Sequence, residues 1–334
     1  MAMLKSAAVL TRDNVAFLLQ GVPCMYRELL FSVKPAGELP SQEGRVAVVT
    51  GGSRGIGLEA VKTMLRLNMH LIIGSSNVEK AEKVLKPLAA EVDGKGKLEV
   101  WPLDLTKQKS VHAFCQRFLE TGLPLHVLLC NAGIMFYPKH ELTEDGFEMQ
   151  LAVNHLGHFT MQHLLYPRLR AAGTADRKAR IVNVSSAAHN CGGVNFDDIM
   201  LSTTYSSKGA YFQSKGAQIL CTKYLAKKAQ EAGDNVTCNS LHPGVIYTDL
   251  YDYTTIYKVA APVLKKIWRS PKDGAETVLY ACLSPEAEGV SAAHFENAAV
   301  YRSAGYTEDA QQQQKMWEAS CELCKVGTFG QPDN

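Results

Sequence analysis

Apolar residues in this chain gather into short, dense runs separated by longer stretches of mixed pattern. The runs at 46–49, 71–73, 98–102, 127–129, 180–184 and 236–241 are rich in β-branched residues, and each reads as a strand. Between them, segments 58–67, 78–90 and 110–119 place apolar residues at three- and four-residue intervals, which predicts helices with one buried face. Strands separated by helices at this spacing predict a parallel sheet covered on both sides, a doubly wound α/β domain. Such a domain binds ligands in the crevice at the carboxyl ends of its strands.

Residues 1–44 break this rhythm. Val15 to Tyr26 is apolar, but Gly21 and Pro23 interrupt it and Arg27 and Glu28 follow. That falls short of the roughly 20 continuous apolar residues a spanning helix needs. No small-residue cleavage site follows a clean apolar core, which argues against a removable signal peptide. Two readings stay open: an anchor lying on a membrane surface, or an arm packed on the domain. Lys34 to Pro40, with two prolines and a glycine, reads as a linker. The expected division is an arm and linker over 1–44, one domain over 45–325 and a tail over 326–334.

Charge adds an exclusion. Thirty-five Lys and Arg against 33 Asp and Glu leave +2 over 334 residues, too little to steer the protein to nucleic acid. Nine cysteines, odd in number and scattered through apolar segments, read as reduced thiols, in keeping with cytosol or a cytosol-facing surface. Cys321 and Cys324 have metal-site spacing but no second pair, so no metal is expected. The glycosylation sequon at Asn183 lies inside a strand-like run and that at Asn235 carries little weight.

Candidate chemistry begins where the first strand ends. Thr50-Gly-Gly-Ser-Arg-Gly-Ile-Gly57 joins strand to helix, and its glycines let backbone turn tightly and approach a phosphate at the helix N-terminus. Nucleotide binding follows as the expectation. A second device is Tyr211-Phe-Gln-Ser-Lys215. On a helix, this spacing puts phenol and ammonium on one face, about 5–6 Å apart at Cβ. A cation there favours phenolate and would bring the tyrosine nearer neutrality as an acid/base. Tyr and Lys four apart are also common on solvated helices, so the pair needs its context.

That context resembles the short-chain dehydrogenase/reductase family over roughly Arg45 to Cys282, with its Rossmann-type fold. A threonine followed by Gly-x-x-x-Gly-x-Gly is similar to that family's loop, which implies contacts to the dinucleotide from Gly51, Ser53, Arg54, Gly55, Ile56 and Gly57. Asp104 corresponds to the aspartate that positions the adenine. Asn131, Ala132 and Gly133 match a family motif whose first asparagine is Cys130 here, a departure expected to weaken polar contacts between strands more than chemistry. Pro243, Gly244 and Thr248 resemble the segment covering the nicotinamide. The resemblance implies a catalytic tetrad of Asn154, Ser186, Tyr211 and Lys215. Tyr211 would be the acid/base, Ser186 would hold the substrate oxygen, Lys215 would bind the ribose and lower the tyrosine pKa, and Asn154 would hold a relay water. His155, His158 and His189 lie nearby without a triad or ligand set, and read as packing residues.

No acid stands at the end of the second strand, where Gly74-Ser-Ser-Asn77 occurs, and Arg54 suits a 2′-phosphate. NADP is therefore favoured, although Ser76 stands where most NADP enzymes add an arginine, and NAD stays open. The aromatic and basic stretch from Asp249 to Arg269 reads as a substrate lid, or as an ordinary amphipathic helix. The insertion from Val194 to Ile199, with segments near Met69, Pro124, Asp145 and Gln311, is similar to the retinol-dehydrogenase-like branch and within it to members acting on polyprenol-type isoprenoids of dolichol synthesis. A lipophilic substrate is implied, at the cytosolic face of a membrane such as the endoplasmic reticulum or a lipid droplet, with a soluble cytoplasmic protein as the alternative. Retinoid or steroid dehydrogenation, and a non-catalytic NADP sensor, are the competing functions. The sequence leaves the oligomeric state open.

Overall fold

In a computed structural model of the chain, residues 2–91, 94–246, 250 and 268–327 are described. Among them are eight strands: β1 (Val46–Thr50), β2 (His70–Ser75), β3 (Lys97–Pro102), β4 (Val127–Cys130), β5 (Ala179–Val184), β6 (Val236–His242), β7 (His294–Glu296) and β8 (Ala299–Tyr301). They form one sheet in the order β3-β2-β1-β4-β5-β6-β7-β8, parallel throughout except for the antiparallel pair β7 and β8. The first six occupy the apolar runs. The last two are three residues each, too short to leave a periodic signal.

Burial explains why β1 reads as a continuous apolar run. Val46 and Val48 enter one core with Phe114, Phe118 and Leu165; Ala47 and Val49 enter the other with Ala60, Met64 and Val278. Fully burying each valine is worth about 1.5–3 kcal/mol, and polar substitution on either face would forfeit it. The helices Gln108–Glu120 and Gly157–Ala172 supply the first layer, Gly55–Arg66 and Pro271–Leu283 the second. Chain connections reverse direction beside β1, which pairs with β2 on one side and β4 on the other. A crevice opens at their carboxyl ends.

The helix Ser207–Glu231, which carries Tyr211 and Lys215, is buried along most of its length, so it shows no apolar stripe. The arm consists of helix Ala2–Ala16, a π-helical stretch Phe17–Gly21 and helix Val22–Leu30. Gly21 ends the π stretch, and Pro23 falls in the first turn of the next helix, where its missing N–H costs nothing. The arm packs on the domain. Among the described residues no helix is long and apolar enough to cross a membrane. Residues 251–267, the core of the expected lid, lie outside the described residues, as do Thr248 and the tail from 328.

Candidate active site

The glycine turn is clamped before it can hold anything. Asn131 Nδ2 donates to the carbonyls of Thr50 and Gly51, each at 3.0 Å, and Thr50 Oγ1 accepts from the N–H groups of Asn131 and Ala132. The ends of β1 and β4 are thereby tied. Gly51 has φ +67°, and a Cβ there would lie 2.9 Å from Ala132 Cα; one on Gly57 would lie 2.3 Å from the Gly51 carbonyl oxygen. No side chain caps the helix Gly55–Arg66 at Arg54, which leaves its first N–H groups for a ligand.

From this turn a cavity of about 750 Å³ runs to Tyr211. Gly51, Ser53, Arg54, Gly55, Ile56, Gly57, Ser76, Asp104, Asn131, Ala132, Gly133, Ser186, Tyr211, Lys215, Pro243 and Gly244 all line it. Of the residues expected at the site, Asn154 stands just behind the wall and Thr248 lies outside the described residues. The cradle fits a dinucleotide: an uncapped helix N-terminus, a turn only glycine can build and a cavity of ligand size.

At the far end, Ser186 follows β5, caps the turn Ala187–Cys191 through the Ala188 N–H, and lines the cavity with Tyr211. Lys215 Nζ donates to the Val184 carbonyl at 2.8 Å and to Gln218 Oε1 at 3.1 Å, and lies 5.6 Å from the Tyr211 ring centre. The phenol is not brought toward neutrality. Burial pushes Tyr211 up to about 12, against the pull of Ser186, and pushes Lys215 down to about 7. An apolar surrounding penalises either charge, and in this site that outweighs what one cation offers the phenolate.

Asn154 is tied to protein on both sides of the cleft. Its Nδ2 donates to the Ile134 carbonyl and to Ser214 Oγ, and its Oδ1 accepts from the Ile134 N–H. It sits in a π-helical turn, Ala152–Leu156, and braces the segment after β4 against the Tyr211 helix. His158 Nδ1 lies 3.0 Å from the Asn154 carbonyl, so that nitrogen carries the proton, and Nε2 is left to accept from Thr50 Oγ1 at 2.8 Å. Burial holds His155, His158 and His189 below their ordinary range, at about 3, 4 and 4, and so neutral.

Cys130 is buried, and Gln162 bridges around it, donating to Asn183 Oδ1 at 2.9 Å while Asn183 donates to Thr222. The polar link between strand and helix thus moves to Gln162. Asn183 is itself buried, so its sequon is out of reach.

The family model for short chain dehydrogenases matches residues 45–256. The chain belongs to this family. Among curated relatives, polyprenol dehydrogenase of Danio rerio is 38% identical over 311 residues, covering 92% of this chain and 95% of its own. Retinol dehydrogenase 11 of Mus musculus is 36% identical, covering 84% of this chain and 86% of its own. A crystal structure of an uncharacterized protein from Mycobacterium Paratuberculosis superposes with a TM-score of 0.69 at 30% identity, over 88% of this chain and 98% of that one. As a short-chain dehydrogenase the protein is an oxidoreductase acting on CH–OH with a nicotinamide cofactor.

Several residues at the site escape sequence reasoning. Lys80 lines the cavity beside Ser76 and Asn77, one helical turn after β2. Ser214 and Gln218 anchor Asn154 and Lys215. Phe136, at φ +56°, packs its ring edge-on against Tyr211 at 5.5 Å. Positive φ at a bulky residue leaves no mark in a sequence; Gln218, three residues after Lys215, could have been found from helical spacing.

Proposed function

We propose that the protein interconverts a lipophilic alcohol and its carbonyl using NADP, and that the natural substrate is a polyprenol-type isoprenoid. The observation that carries the reading is the placing of Tyr211, Ser186 and Lys215 together at the end of a cavity that begins on the glycine turn. Met135, Phe136 and Phe212 form an apolar cluster around Tyr211, which suits a hydrocarbon chain. The polyprenol dehydrogenase of Danio rerio supports the substrate, since the two chains align almost end to end. The retinol dehydrogenase 11 relative supports a second reading, a retinoid alcohol.

Bound nicotinamide supplies or accepts the hydride. Tyr211 Oη gives a proton to the carbonyl oxygen in reduction and takes it back in oxidation. In the free site the phenol keeps its proton at neutral pH, so the site stands ready to donate. Ser186 Oγ holds the same oxygen as its charge develops. Lys215 would hold the nicotinamide ribose, and Asn154 is a positioning residue for Ile134 and the Tyr211 helix. Arg54 and Lys80 would hold the 2′-phosphate; together with the absence of an acid at Gly74 to Asn77 they support NADP over NAD.

The arm turns Leu18, Leu19, Leu30 and Phe31 outward at 62, 66, 80 and 62% exposure. These favour a place on the cytosolic face of a membrane, endoplasmic reticulum or lipid droplet, and flotation with liposomes tests it. The decisive assay is a panel of polyprenols, retinoids and steroids with both cofactors and Tyr211→Phe as blank. Turnover of polyprenols with NADP is expected; failure on every alcohol despite tight cofactor binding would overturn the enzyme reading in favour of a sensor.

A further inference from the structure

The N-terminal arm precedes the family-matched segment, which starts at residue 45, yet it reaches the site at three points. Phe17 stacks on Phe212, with ring centres 6.5 Å apart and planes at 6°, and meets Phe136 edge-on at 6.2 Å. Phe136 in turn packs edge-on against Tyr211. Phe17 belongs to the apolar cluster that includes Met135, Leu250 and Tyr211, three residues that line the cavity.

Asp13, buried in the first helix, hydrogen-bonds Ser206, the residue capping the helix of Tyr211. A carboxylate at that helix start is favoured by the helix dipole and steadies the first turn. Glu28 makes the third contact. Its Oε2 accepts from the Val245 N–H at 2.5 Å, and its Oε1 lies 2.6 Å from His242 Nε2. His242 and Val245 flank Pro243 and Gly244, so one arm carboxylate grips both sides of the segment bordering the cavity. Burial opposes both charges, but their mutual attraction outweighs it, holding His242 up at about 10 and Glu28 below its ordinary range. Cys24 and Glu296 stand close enough to Glu28 and His242 to suggest a metal set, but Arg27 donates to Cys24 and Glu296, and Arg27 with protonated His242 supplies positive charge there.

We propose that the arm is a working part of the active site: Phe17 closes the apolar wall and, through Phe136, holds Tyr211, while Glu28 fastens the segment after β6 over the cofactor cleft. The proposal rests on the oxidoreductase reading above and names residues outside the family-matched segment. Phe17 and Glu28 are positioning residues. Phe17 reaches the site through Phe136 beside Tyr211, and Glu28 through His242 and Val245 at the cofactor cleft, so their loss should separate two kinetic quantities.

The test uses the full chain with Phe17→Ala, Phe17→Leu and Glu28→Gln, on one long polyprenol and one short isoprenoid alcohol. NADPH affinity is measured by fluorescence titration and chain integrity by thermal melting. Phe17→Ala should lower kcat/KM for the long alcohol about tenfold and for the short one less, with NADPH affinity within about twofold; Phe17→Leu should restore most of it. Glu28→Gln should weaken NADPH binding about fivefold. The proposal is overturned if Phe17→Ala stays within about twofold of wild type on both alcohols, if its loss is matched in NADPH affinity, or if Glu28→Gln binds NADPH as wild type does. A wild type inert to polyprenols but active on retinoids removes the substrate reading alone, and the Phe17 comparison is then made on a long and a short retinoid-like alcohol. If no alcohol reacts, the Glu28 measurement still decides the cofactor half.

Discussion

Lys215 should destabilise the protein it serves. Burial pushes its pKa from 10.5 to about 7, so below about pH 7 the folded state carries an ammonium that the interior disfavours by about 5 kcal/mol. Lys215→Met keeps the shape and removes that charge. It also removes the hydrogen bonds to the Val184 carbonyl and Gln218 Oε1, leaving two buried acceptors unmet, a loss of about 3 kcal/mol. At pH 6 the cofactor-free variant should therefore be more stable by about 2 kcal/mol, and melt about 4 °C higher. The sign with pH follows from linkage. Between about 7 and 10.5 the unfolded chain binds the proton and the folded chain does not, so wild-type stability rises with pH through that window. By pH 9 the remaining cost is about 2 kcal/mol, less than the hydrogen-bond loss of about 3, so the wild type should then be the more stable by about 1 kcal/mol. Thermal melts and urea titrations of both proteins at pH 6 and 9 measure it, beside an activity assay in which the variant is inert. A wild type that is the more stable at pH 6, or a gap that does not change between the two pH values, would refute the reasoning.

Tyr211→Phe removes the phenol proposed to exchange a proton with substrate and should lower kcat at least about 10³-fold while NADPH affinity is kept, as read by single-turnover absorbance and titration. Ser186→Ala should cost about 10²-fold in kcat, with a smaller change in KM. Arg54→Ala and Lys80→Ala should each weaken NADPH about tenfold and leave NADH unchanged in calorimetry, since only the former carries a 2′-phosphate. Gly57→Ala would drive a Cβ to 2.3 Å from the Gly51 carbonyl oxygen and should abolish binding of either cofactor in the same calorimetry.

The α/β class and the glycine turn were legible because both depend on local patterns. A parallel strand buried on both faces is apolar at successive positions, and a turn against a phosphate needs glycine where a Cβ would strike backbone, as at Gly51 and Gly57. The same holds for Tyr211 and Lys215, placed together by helical spacing alone. Their protonation was not legible, because it depends on how much apolar matter surrounds them, and that comes from segments far away in the chain. The role of Asn154 turned on Ile134 and Ser214, 20 and 60 residues distant, which use both its donors and one acceptor lone pair.

The arm marks the boundary most clearly. Its interrupted apolar run left a membrane anchor and a packed segment both open, since hydrophobicity says how much surface seeks cover and not what covers it. The fold supplied Phe136 and Phe212 to Phe17, Ser206 to Asp13, and His242 with Val245 to Glu28, so one face of the arm packs on the domain while Leu18, Leu19, Leu30 and Phe31 stay exposed. Sequence by itself determined the first six strands of the sheet and the glycine turn, and named the residues proposed to carry the chemistry. Only tertiary structure decided which distant groups surround them, and hence their charge, their partners and the walls of the site.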